Sequence, residues 1–209
     1  MAGRAAGKKD IIESYNYGDY EKWKDSDRWE IIEGDIYAMS PAPNTEHQTL
    51  LVNLCIAVGA FLKGHKCKLF VAPYDVLLPK GDEADELVKT VVQPDLAVVC
   101  DEKKLSDRSC RGAPDWVIEI LSPSTAGRDQ ILKKRIYENA GVKEYWICSP
   151  HERIIFVYLL HKNRLELSEV YDETAKIEVK TLPGLVIDCG EIFPPRPPVE
   201  VREPPIVYV

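Results

Sequence analysis

The chain has 209 residues with 27 Lys and Arg against 34 Asp and Glu, a formal net charge of −7. Its hydrophobic and charged fractions, 45% and 29%, are those of a folded globular protein and exclude a disordered, collagenous or disulfide-framework chain. A domain takes roughly 100–200 residues, so the length predicts one domain with short extensions.

The acidic balance argues against a protein that coats nucleic acid non-specifically, because that mode needs Lys and Arg to neutralise phosphates. It leaves open an enzyme whose carboxylates hold a metal at a phosphate. The longest apolar runs, such as Asp115–Leu121, are strand-sized, and none approaches the ~20 residues of a membrane span. Met1–Lys9 lacks the apolar core of a signal peptide, so the expected compartment is the cytoplasm, with no membrane contact. The six cysteines, at 55, 67, 100, 110, 148 and 189, form no C-x-x-C pair and read as small buried apolar residues. The four histidines show no zinc spacing.

In chain order, residues 1–16 read as a flexible lead-in, with a short helix beginning near Tyr17. Arg28–Ile32 and Asp35–Met39 flank Glu33-Gly34 as a β-hairpin, in which Gly34 supplies positive φ. A helix is predicted over Thr45–Lys63, with Thr45 and Gln48 as a capping box and Leu51, Leu54, Val58 and Phe61 as its core stripe. Lys66–Ala72 and Tyr74–Leu78 read as one long strand or two, kinked at Pro73. Pro79–Lys89 is a solvated excursion. Val91–Cys100 and Asp115–Leu121 are strands joined by the charged loop Asp101–Gly112. A helix over Arg128–Ala140 ends at Gly141. Lys143–Cys148 is a strand, and Arg153–Leu160, Arg164–Tyr171 and Ala175–Thr181 suggest a meander. Residues 194–209 hold six of the fifteen prolines and form a predicted extended tail. A single domain is thus expected over 17–193. Its fold class is α/β: a mixed central sheet flanked by helices, with an added N-terminal hairpin and a C-terminal β meander.

Three carboxylates sit in or beside apolar strands, where charge is rare unless paired or binding something. Glu119 lies inside Trp116–Leu121 and shares a face with Val117 and Leu121. Asp95 follows Pro94, and Asp75 precedes Val76-Leu77-Leu78. Taken singly, each is read first as structural: Asp95 as a turn residue, Asp75 as a strand-edge charge and Glu119 as half of an ion pair. On the helix that follows, Asp129, Lys133 and Tyr137 recur every four residues and line one face. A strand–loop–helix unit can fold Lys133 back over the strand end that presents Glu119.

These blocks resemble the PD-(D/E)XK nuclease superfamily, and more closely a bacterial family of restriction endonucleases with that fold. The resemblance is carried by Glu33-Gly-Asp35 with Met39–Pro43 and His47, by Val92–Val99 including Pro94-Asp95, by Gly112–Thr125 including Glu119-Ile120-Leu121, and by Asp129 through Lys133, Tyr137 and Gly141 to Trp146. It covers residues 17–193. The superfamily pattern has Lys two positions after the Glu; here that position is Leu121. The resemblance implies that Lys133 takes over this role, not Lys134, which points about 100° away around the helix.

The implied activity is metal-dependent endonucleolytic hydrolysis of phosphodiesters, DNA rather than RNA, with Mg²⁺ or Mn²⁺ as cofactor and a homodimer as the working unit. Catalytic candidates are Asp95, Glu119 and Lys133. Metal-ligand candidates are Asp75, Asp95, Glu119 and the carbonyl of Ile120. Candidates lining the site are Glu33, His47, Asp129 and Tyr137. His47 also falls on the core stripe of its helix, Glu33 at a hairpin tip, and Tyr137 one turn beyond Lys133, so each has a structural alternative. Asp95 and Glu119 are expected within reach of one shared metal. The rival function is a catalytically inactive or regulatory binding protein that keeps the nuclease scaffold.

Overall fold

The computed structural model describes residues 14–23, 28–39, 44–122 and 128–194, except the side chains of 128–130. Most of the predicted lead-in and nearly all of the Pro-rich tail lie outside these residues. A single turn, α1 (Tyr17–Tyr20), is closed by a reciprocal capping box between Asn16 and Asp19. The predicted hairpin is β1 (Trp29–Ile32) with β2 (Asp35–Ala38). Both of its turn residues have positive φ, 54° at Glu33 and 95° at Gly34, the type I′ geometry that matches strand twist. A side chain at Gly34 would also collide with Ser14.

Helix α2 (Thr45–Leu62) is capped by Asn44, whose Oδ1 accepts from the His47 N–H at 2.9 Å. The predicted cap at Thr45 is therefore one residue late. Its buried stripe is Leu50, Leu54, Val58 and Leu62, with the predicted Leu51 and Phe61 only flanking it. Of the two readings around Pro73 the structure has the second, two strands that lie in different sheets, β3 (Lys68–Val71) and β4 (Asp75–Leu77), separated by a cis Ala72–Pro73 bond. Likewise Val91–Cys100 divides into β5 (Val91–Val92) and β6 (Leu96–Val99) around Pro94, which has no N–H to give a ladder. The charged loop contains a short strand, β7 (Ser109–Arg111). β8 (Trp116–Ile120), α3 (Arg128–Ala140) and β9 (Glu144–Ser149) follow as predicted. Gly141 ends α3 at φ 88°, its N–H donating to the Tyr137 carbonyl.

The meander is shorter than its sequence suggests. β10 (Ile154–His161) and β11 (Arg164–Asp172) are antiparallel neighbours, but β12 (Lys176–Glu178) leaves the sheet to pair with β13 (Val186–Asp188). The last element is α4 (Cys189–Ile192).

The strands form a six-stranded mixed sheet, ordered β11-β10-β9-β8-β6-β3, and a five-stranded sheet, ordered β2-β1-β5-β4-β7. Alternation along β8 divides the core. Trp116, Ile118 and Ile120 pack on the α2 side with Leu50, Leu54 and Val58. Val117 packs on the α3 side with Ile136, Tyr137 and residues of the five-stranded sheet, among them Ile32, Val76 and Val92. The opposite face of the five-stranded sheet buries Ile31, Leu77 and Val91 under Tyr17. The cysteine expectation needs one correction. Cys67 and Cys100 form a disulfide, because the β3–β6 ladder pairs Lys68 with Val99 and its next step sets the two thiols face to face. Cys110, Cys148 and Cys189 are buried as expected.

Trp116 and Trp146 meet edge to face at 4.8 Å in the α2-side core. The indole N–H of Trp146 donates to the buried Glu144, which also accepts from the backbone and hydroxyl of Thr181. We predict that Trp146→Ala lowers unfolding free energy by about 3–5 kcal/mol in urea titrations. A double-mutant cycle with Trp116→Ala should return a coupling of about 0.5–1.5 kcal/mol; zero coupling would deny the ring pair any stabilising role.

Candidate active site

Asp95 and Glu119 are brought together by strand register. The β6–β8 ladder pairs Leu96 with Ile118, and one step further sets Asp95 across from Glu119 on the α3 side of the sheet. Asp95 is held by the Ile120 N–H, which donates to its Oδ2 at 2.7 Å, and His47 Nε2 lies 3.4 Å from the same oxygen. His47 is buried at the start of α2, and its Nδ1 has no partner among the described residues.

Glu119 is buried under α3. Lys133 Nζ donates to its Oε1 at 3.1 Å and the Tyr137 hydroxyl to the same oxygen at 2.7 Å. The four-residue spacing thus does what the helical period predicts. Lys134 faces elsewhere, bonding Glu138 at 3.3 Å and lying 5.3 Å from the Tyr158 ring centre. Tyr137 is fully buried against Tyr145, so among its alternatives it is a packing residue that also orients Glu119.

The ammonium of Lys133 has a second partner that sequence reasoning missed. Glu30 Oε1 lies 3.0 Å from it. Glu30 is a charge inside an apolar strand, the same signal that singles out Glu119, and it shares the face of Ile32 that looks toward α3. Attention to the hairpin tip passes it over. The tip residue Glu33 instead pairs outward with Arg135 at 2.7 Å and Lys80 at 3.6 Å, so it is a surface ion pair and not part of the cluster.

Gln93 was also missed. Its N–H donates to Glu30 Oε1 at 2.9 Å and its amide nitrogen to Asp75 Oδ1 at 2.8 Å, while Arg28 donates to its carbonyl oxygen. Asp75 is thereby tied to Gln93 and to the Tyr20 hydroxyl. Among the described residues no three His, Cys, Asp or Glu converge as a metal cluster. Asp75 is placed one step out from the pair, bonded by Gln93, whose N–H also holds Glu30. The Asp129 side chain lies outside the described residues, and of Ile120 it is the N–H that the structure engages.

The electrostatics follow from a count of charges. Burial pushes Glu119 up to about 7, against the pull of Lys133 and with the help of Asp95 and Glu30. Burial works against the Lys133 ammonium too, but Glu119 and Glu30 outweigh it and raise its pKa. The two directions are compatible because one cation serves two carboxylates, with Asp95 as a third acid nearby. Burial likewise raises Asp75, opposed by its bonds from Gln93 and Tyr20. Oε2 of Glu119 and Oδ1 of Asp95 take no hydrogen bond among the described residues. Mg²⁺ is commonly held by one or two carboxylates with water completing its shell, so excess negative charge and two open carboxylate oxygens fit such an ion.

A mixed sheet with a carboxylate pair at neighbouring strands and a lysine from the next helix defines the restriction-endonuclease-like fold class. Comparison with known proteins agrees. Residues 17–190 match the Uma2 family, described as "Putative restriction endonuclease", and the chain belongs to that family. It is similar to "Uncharacterized protein slr1290" of Synechocystis sp. (strain ATCC 27184 / PCC 6803 / Kazusa), 29% identical over 180 residues, 84% of this chain and 89% of the relative. It shares its fold with a crystal structure from Anabaena variabilis ATCC 29413 described as "a putative nuclease belonging to DUF820". The TM-score is 0.64 at 21% identity, over 79% of this chain and 89% of that one. Among the described residues no helix is long and apolar enough to cross a membrane.

Because Lys133 is buried between two acids, its loss leaves both unpaired. We predict that Lys133→Met costs about 3–5 kcal/mol of stability at neutral pH in metal-free protein, read by chemical denaturation. Lys134→Ala, at a partly exposed pair, should cost less than about 1 kcal/mol. Equal losses would mean that the wrong lysine has been placed at the centre.

Proposed function

We propose that this protein is a Mg²⁺- or Mn²⁺-dependent endonuclease acting on DNA. The observation that carries this reading is Lys133 reaching from α3 to Glu119, on a strand whose register sets Asp95 opposite. Leu121 takes the place of the superfamily lysine, and Lys133 supplies the cation from the helix instead. The family description supports DNA as substrate.

Asp95 and Glu119 would hold the metal, with the Ile120 carbonyl as a further donor. When bound there, the ion supplies a Lewis acid for the phosphate and a more acidic water. The chain does the rest. The Ile120 N–H and His47 orient Asp95, and Tyr137 fixes one oxygen of Glu119 so that the other is presented. Glu30, itself held by the Gln93 N–H, keeps Lys133 charged and in place. The Lys133 ammonium can then donate to an attacking water or offset charge gathering on the phosphate. Burial strengthens each of these interactions. Cutting both strands of a duplex needs two such centres, and two copies of the chain would supply them.

The test is Mn²⁺ titration by calorimetry alongside cleavage of plasmid DNA. Wild type should bind the ion and cut. Glu119→Ala should lose Mn²⁺ binding and at least a hundredfold in cutting, and Asp95→Asn should behave alike. Lys134→Ala should stay within about threefold of wild type, as expected for a residue outside the centre. A wild-type protein that binds no Mn²⁺ and leaves DNA intact would favour the rival binding function.

A further inference from the structure

The outer face of α2 departs from that of an ordinary surface helix, which carries charge on the side away from the core. From Gln48 to Leu62 the helix has no Asp, Glu, Lys or Arg. Leu50, Leu54, Val58 and Leu62 turn inward. The helical period sets the opposite stripe through Val52, Ile56, Gly59 and Ala60. Val52 is 51% exposed and Ile56 64%. An exposed apolar stripe of this kind marks a contact surface.

The relief of the face selects its occupant. A groove of about 410 Å³ runs along the N-terminal half, lined by Thr45, Gln48, Thr49, Val52 and Asn53. Two of its polar groups are already committed. The Thr49 hydroxyl donates to the Thr45 carbonyl at 2.8 Å, and the Asn53 amide to the Ile192 carbonyl at 2.9 Å. The groove is thus suited to an apolar knob. Ile56, less than one turn beyond Asn53, is such a knob. Knob and groove on one helix face form a self-complementary patch, which is what a two-fold contact between identical chains needs.

Shape and charge give the same register. In an antiparallel pair of α2 helices, a two-fold axis at the level between Leu54 and Cys55 seats Ile56 of the partner subunit opposite Asn53, in the groove. The same axis sets Lys63 of the partner subunit opposite Glu46. These are the charges at the two ends of α2, both exposed, so antiparallel order pairs unlike charges where parallel order would pair like ones. Gly59 and Ala60 add little bulk, which lets the helix axes approach. We propose that α2 is the contact surface of a two-fold dimer of this chain in this register. Its 18 residues span about 27 Å, and such a face alone covers less than the roughly 800 Å² per partner of a tight complex. The dimer is therefore weak and concentration-dependent. His47 opens α2 beside Asp95, so the pairing also brings Lys63 of the partner subunit toward the candidate site. Its role in cleavage rests on the nuclease reading above, but the association itself does not.

The experiment is sedimentation equilibrium of the full chain in EDTA across the micromolar range. Wild type should pass from monomer to dimer as concentration rises. Ile56→Glu, at an exposed position, should weaken association at least tenfold and leave thermal unfolding of the monomer unchanged. Glu46→Lys and Lys63→Glu should each weaken it at least threefold, and the two together should restore it to within twofold of wild type. A monomer at every concentration, a dimer indifferent to Ile56→Glu, or single charge variants that the double variant does not rescue would overturn the proposal. So would a marked loss of thermal stability in the Ile56→Glu monomer, which would mean that another segment of this chain, such as 195–209, covers the face. Plasmid cutting with Mn²⁺ is measured in parallel. Cutting by a protein that stays monomeric would sink the dimer alone, whereas a dimer that obeys these substitutions but cuts nothing would sink the nuclease reading and leave the contact surface standing.

Discussion

The sharing of one buried ammonium between Glu30 and Glu119 is the constraint around which this molecule is arranged. Charge removed from water is tolerated only when compensated with good geometry. Here compensation ties together three elements that have no backbone hydrogen bonds in common. β1 brings Glu30 from the five-stranded sheet, β8 brings Glu119 from the six-stranded sheet, and α3 lays Lys133 between them. Apolar packing of Ile32, Val76 and Val117 around Tyr137 brings these elements close. It is non-directional, however, and many sidewise shifts would bury similar area. The ion cluster admits few such shifts, because each would strand a buried carboxylate.

A second polar line extends from this cluster into the five-stranded sheet. Gln93 is nearly fully buried and uses its backbone N–H for Glu30, its amide nitrogen for Asp75 and its carbonyl oxygen for Arg28. It immediately precedes Pro94, where the chain passes from β5 in one sheet to β6 in the other. The residue at the junction thus secures both sides of it. Asp95, two positions on, enters the centre directly. A single short segment therefore supplies the connection between sheets, the support of Glu30 and one acid of the pair.

The centre carries more carboxylate than ammonium, and this excess adds to burial in raising Glu119. Acids crowded together away from water repel one another. Lys133 and the Tyr137 hydroxyl offset part of that repulsion, and Glu119 stays buried without an apolar substitute.

The sequence by itself determined whatever depends on neighbours a few residues apart. The helical period placed Lys133 and Tyr137 on one face and turned Lys134 away; strand alternation put Glu119 on the face of Val117; Glu33-Gly34 specified the hairpin turn. Resemblance to a known pattern joined Asp95 to Glu119 and added His47. The tertiary structure alone decided how distant segments pair. Glu30 meets Lys133 and Gln93 meets Glu30 across 63 residues, Cys67 meets Cys100 across 33, and β12 abandons the meander for β13. Local periodicity says which face a side chain occupies but not which strand lies opposite. That choice follows from the register of whole sheets, and with it come the partner of each buried charge and the place of Asp75 beside Gln93 and Tyr20.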